Sequence, residues 1–93
     1  MALIGKKVTV SVAQIDILTG QPRSACDCPV ALATKRAAET AAVVADTIGF
    51  FVNGQPAAAD DSAVAFMEMF DDDERRHLCR PFDFPLTFWE PQP

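Results

Sequence analysis

The residues best suited to chemistry in this 93-residue chain are three cysteines and a single histidine, set as Cys26-Asp27-Cys28 and His77-Leu78-Cys79. Three thiolates and one imidazole can complete a tetrahedral zinc site, although one-residue ligand spacing is less usual than two. The bland alternative is two small apolar plugs at a helix start and an unrelated His and Cys in a loop, because free cysteine is commonly buried. Asp27 is a good N-cap residue and Pro29 suits the first helical turn, where its missing N–H costs nothing. A helix is therefore expected to begin here, and a thiol at a helix N-terminus often ionises more readily, which singles out Cys28. A cysteine nucleophile also needs a base and an oxyanion pocket. The one histidine lies in an acidic loop, so no complete active site can be assembled. The expectation is a chain that is not an enzyme, with no catalytic residue and no cofactor.

A second set could act by charge alone. Asp60, Asp61, Glu68, Asp71, Asp72, Asp73 and Glu74 could imitate the phosphate spacing of a nucleic acid or dock on a basic groove, with the field raising the association rate. Against this stands an ordinary solvated face that keeps a small protein dispersed, and Arg75, Arg76 and Arg80 lie beside the block. The run Asp71-Asp72-Asp73-Glu74 lacks the spaced ligands and the glycine of a calcium loop. Trp89 joins the partner-binding set because exposed tryptophan favours interfaces.

The elements that must position these residues follow from periodicity. Lys7 to Val12 alternates branched apolar and polar residues, the pattern of a half-buried strand. Gln14 to Leu18 reads as a single helical turn closed by Gly20, and the main helix as Cys28 to Ala41, with Ala31, Leu32, Lys35 and Ala38 on one face. Two strands are expected around residues 43–52, with Asn53-Gly54 as a tight turn and a return stroke at Gln55 to Ala58. Ala63, Phe66, Met67 and Phe70 form the stripe of a second helix capped near Asp60-Asp61-Ser62, which Asp71 to Glu74 ends as a solvated turn. Phe82 to Phe88 reads as a last strand, placed by Pro85 at an edge or a bulge. Residues 90–93 read as a tail. The sum is a single domain over 1–93, an α+β fold with a small, mostly antiparallel sheet of four or five strands and two helices on one face. Phe50 and Phe51 cannot both face one side of a strand, and a second chain covering the exposed ring would give a homodimer.

Composition narrows the function class. The formal net charge is −5 and the hydrophobic fraction 49%, which argues for a globular chain and against direct nucleic-acid binding, since phosphates need clustered cations. No apolar run approaches the roughly 20 residues that cross a bilayer, and Met1 to Val12 lacks the apolar core of a signal peptide. Reduced thiols and a cytoplasmic setting are expected. The charge is uneven: residues 1–45 hold five basic groups and three acids, residues 46–93 three basic groups and ten acids. An acidic half of this kind meets a basic partner most readily.

Val8-Thr9-Val10, then Cys26-Asp27-Cys28-Pro29-Val30-Ala31-Leu32-Ala33, then Phe66 to Phe70 with Asp71, and Pro81-Phe82-Asp83-Phe84-Pro85-Leu86 together resemble a set of small uncharacterised proteins carried by bacteriophages and prophages. The resemblance implies a phage-type origin and a shared fold, and it carries no catalytic residue across. The stretch Asp72 to Arg80 is longer than the short turn of that pattern. Small acidic phage proteins often inhibit host defences, as anti-CRISPR proteins do, so by analogy of size and origin the expected partner is a host protein with a basic surface, such as a CRISPR effector complex in a bacterial cytoplasm.

Overall fold

The computed structural model describes residues 2–91. Along the chain run β1 (Leu3–Val12), α1 (Gln14–Thr19), α2 (Pro29–Ala38), β2 (Val43–Ala45), β3 (Phe50–Val52), β4 (Gln55–Ala59), α3 (Asp61–Asp71), a 3₁₀ turn (Arg76–Leu78) and β5 (Phe82–Pro91). All strand pairings are antiparallel and the sheet order is β1-β5-β4-β3-β2. The expected α+β architecture is present with five strands, and α1 is the helical turn expected over Gln14 to Leu18, one residue longer and closed by Gly20.

Period-two alternation decides which face is covered. Val10 and Val12 of β1, Phe84, Leu86 and Phe88 of β5, Phe50 and Val52 of β3, and Val43 and Ala45 of β2 are all buried. Their neighbours Thr9, Ser11, Asp83, Pro85, Phe51 and Val44 face the open side. The buried set forms one core with Val30 and Ala33 of α2 and with Ala63, Phe66, Met67 and Phe70 of α3. Phe66 stacks on Phe82 at 4.8 Å between ring centroids, and Phe50 meets Phe84 edge-on at 6.3 Å. Each such ring removes enough apolar surface from water to contribute about 2–3 kcal/mol.

Several boundaries differ from the sequence reading. The N-cap of α2 is Cys28, not Asp27, and its Sγ accepts the Ala31 N–H at 3.4 Å. Pro29 takes the first helical position, so the residue immediately before it must be the cap. The helix ends at Ala38, short of Ala41, because Glu39 turns into the left-handed region at φ 56°. Its buried residues are Pro29, Val30, Ala31, Ala33 and Thr34, so the face is rotated away from Leu32 and Lys35. Asn53 and Gly54 both have positive φ, as a two-residue hairpin turn requires.

Pro85 does not put β5 at an edge, since that strand lies between β1 and β4. Pro85 sits opposite Thr9, and β4 pairs with β5 only at Thr87 and Leu86. Its missing N–H therefore points to where the β4 ladder has already ended, and no bond is lost. Glu90 and Pro91 extend β5 and are no tail, with Glu90 3.0 Å from Lys6 Nζ. The remaining tail positions, 92 and 93, lie outside the described residues.

Candidate interaction surface

The apolar stripe that buries α3 leaves an opposite face made of Asp61, Ala65, Glu68 and Asp72, at helical spacing. No lysine or arginine occurs in this helix. Asp60 is the N-cap residue but makes no side-chain cap bond; it accepts the Ser62 hydroxyl at 3.1 Å. Asp60, Asp61, Glu68 and Glu74 are exposed. None of these four has a cation within ion-pair distance among the described residues.

The other three carboxylates of the set are engaged inside the chain. Asp71 Oδ1 accepts the Arg23 N–H at 2.7 Å, and Arg23 Nη1 donates to the Asp71 carbonyl at 2.8 Å. Asp72 takes Arg75 Nε at 2.9 Å and the Glu74 N–H at 3.0 Å. The Arg75 hydrogen bond, then the Glu74 N–H, hold the Asp72 carboxyl below its ordinary value. Asp73 pairs with Arg76 at 2.5 Å and lies 3.8 Å from Arg23. Arg76 also donates to the Phe70 carbonyl at 2.7 Å and places its guanidinium 5.4 Å from the Phe70 ring centre. The segment after α3 is thus a structured turn in which Asp72 and Asp73 are paired with arginines. The two Asp–Arg pairs at i,i+3 were visible as neighbouring charges; Arg23, 48 positions before Asp71, carried no local signal.

Trp89 does not join the acidic group. It lies on the uncovered sheet face opposite Gly5, where a Cβ on the glycine would come 3.1 Å from the indole Nε1. Phe50 is buried and Phe51 is 41% exposed, so the two rings divide between the faces as their adjacency demands.

The thiols are separated by environment. Cys26 is exposed; Cys28 and Cys79 are buried. Cys28 Sγ contacts the Ala45 carbonyl at 3.8 Å and the Ala31 N–H, and burial pushes its thiol up, opposite to the shift expected of a helix N-terminus. Burial likewise raises Cys79. His77 is exposed in the 3₁₀ turn. Among the described residues, Cys26, Cys28, His77 and Cys79 do not gather, and no three His, Cys, Asp or Glu side chains form a metal cage. Beside Cys28 a cleft of about 270 Å³ opens between Arg23, Asp46, Thr47, Met67 and Asp71. The Cys28 thiol beside it is held in its protonated form by burial.

At the other side of α2, Asp16 is 3% exposed and accepts the Ala13 N–H at 2.8 Å and both Arg36 Nη atoms, at 3.0 and 2.7 Å. Burial alone would raise this carboxyl. The Arg36 hydrogen bonds, the Ala13 N–H and the Arg36 charge together outweigh burial and hold it below its ordinary value.

Among the described residues no helix is long and apolar enough to cross a membrane. The chain matches no protein-family model, no curated protein and no solved structure.

Proposed function

We propose that this chain is a non-enzymatic interaction protein of phage type whose acidic flank docks on a basic surface of a host nucleic-acid-binding protein and blocks it, in the manner of an anti-CRISPR inhibitor. The observation that carries the reading is the set of exposed carboxylates Asp61 and Glu68 on α3, Asp60 at its cap and Glu74 just after it, with no cation within ion-pair distance among the described residues. The set is smaller than the seven carboxylates counted in the sequence, because Asp72 and Asp73 pair with Arg75 and Arg76 and the Asp71 carboxylate is held by the Arg23 backbone N–H. A basic groove that normally holds phosphates is the surface such a flank complements, and the resulting field speeds encounter. The thiols add support by default, since Cys28 and Cys79 are protonated plugs in the core.

The test separates free from engaged carboxylates. Asp60→Asn, Asp61→Asn, Glu68→Gln and Glu74→Gln combined should abolish inhibition of a bacterial CRISPR effector complex's DNA binding, with the circular dichroism spectrum unchanged. Inhibition that survives all four substitutions would remove the proposal.

A further inference from the structure

Among the described residues the outer side of β1 carries no strand. In an antiparallel ladder each residue offers its N–H and C=O to one side only, alternating along the strand. Pro85 has no N–H to give Thr9, and the Ser11 carbonyl accepts Arg36 Nη2 from outside the sheet at 2.9 Å. Both facts fix the same parity: Leu3, Gly5, Lys7, Thr9 and Ser11 present their backbone groups to the free edge. Arg36 closes the edge at Ser11, and Leu3 to Thr9 stay open. Such a row is a template for another strand. The open segment also carries Leu3, 45% exposed, and Ile4, 38% exposed, with the Trp89 indole lying over Gly5.

We propose that residues 3–7 of β1 pair antiparallel with the same residues of a second copy of this chain, about a two-fold axis at Gly5. The axis follows by elimination, since centring on Leu3 or Ile4 pairs fewer of the open residues. Centred on Lys6 or Lys7, the pairing sets like charges directly opposite each other, which is destabilising. Centred on Val8 or Thr9, it needs the Ser11 carbonyl that Arg36 occupies. Centred on Gly5, it uses only open groups: Leu3 exchanges hydrogen bonds with Lys7 of the second copy, Gly5 with Gly5, and Ile4 lies opposite Lys6. Lysine stems then cover the exposed Leu3 and Ile4, while Lys6 keeps its own Glu90 at 3.0 Å. Gly5 has no side chain, so the two Trp89 indoles approach the axis and supply the aromatic centre that interfaces favour. The contact is isologous and closes at two chains, with one sheet running through both.

Sedimentation velocity of the full chain over a concentration series, with reductant present because Cys26 is exposed, tests the pairing alongside amide hydrogen exchange. The expected result is a dimer at high concentration, with the Gly5 and Lys7 amides gaining protection as it forms. Leu3→Lys with Ile4→Lys should leave a folded monomer, and Leu18→Ser, at the exposed side of α1, should leave the dimer intact. A wild-type chain that stays monomeric, a dimer that survives the double substitution, or exchange at Gly5 that ignores concentration would each overturn the proposal. Protection of Gly5 that appears only with an added extended peptide would overturn it too, in favour of a foreign strand at the same edge.

Discussion

Thr34 lies wholly inside the core, yet its Oγ1 has no hydrogen-bond partner among the described residues. A buried hydroxyl left unmatched has lost its water and gained nothing in return. Thr34→Val keeps the shape and removes the orphan, so urea denaturation should show a gain of about 1 kcal/mol; a loss would mean that the hydroxyl has a role in the fold. The cysteines make a second residue-scale prediction. Cys26 should react rapidly with a thiol reagent, whereas Cys28 and Cys79, buried and raised in pKa, should wait for the chain to open. Two fast thiols would contradict the burial of Cys28. The sequence showed Cys28 beside a helix start and left it open between an activated thiol and a buried apolar plug. Helix-terminus electrostatics favour a thiolate, and desolvation in a packed core disfavours it more strongly; which of the two wins depends on burial that local spacing does not reveal. The cap itself was legible once Pro29 is put at the first helical position, because the cap is then its predecessor whatever the propensity of Asp27.

At the scale of elements, α1 is the piece most dependent on one ion pair. Asp16 ties the Ala13 N–H to Arg36, and Arg36 in turn reaches the Ser11 carbonyl. The end of β1, α1 and α2 therefore share one polar network. The folded carboxyl is held below its ordinary value, so its contribution is complete above the unfolded value of about 3.9 and is lost as pH falls through the lower folded value. Asp16→Asn should therefore cost about 1–3 kcal/mol at neutral pH, a penalty that shrinks as denaturation is repeated down through the carboxylate range. A penalty independent of pH would show that packing, not charge, is what the aspartate supplies. Periodicity made most elements readable. The stripe Ala63, Phe66, Met67 and Phe70 is the buried face of α3, and the alternation of Phe82, Phe84, Leu86 and Phe88 is the core side of β5. The place of β5 in the sheet was not readable, because proline argues for an edge only when its missing donor faces a partner strand. Here the partner β4 ends at Ala59, and that is a property of the pairing and not of either strand alone.

For the whole molecule the informative quantity is where charge remains after internal pairing. The second half of the chain holds ten acids and three basic groups, which was plain from the sequence. Which carboxylates are free was not, because the Arg23 backbone N–H binds the Asp71 carboxylate and its guanidinium approaches Asp73 across a fold that brings the loop before α2 to the end of α3. Asp60, Asp61, Glu68 and Glu74 are exposed and without an ion-pair partner among the described residues. Docking through such a surface is governed by opposite charge and is screened by salt, with a Debye length near 10 Å at about 0.1 M. Rim charges act first on the association rate. The most direct measurement is the association rate of the chain with a bacterial CRISPR effector complex across a salt series, for the wild type and for the variant neutral at Asp60, Asp61, Glu68 and Glu74. A steep fall with salt is expected for the wild type, and a slow, nearly flat profile for the variant. Coincident profiles for the two chains would contradict docking through these carboxylates.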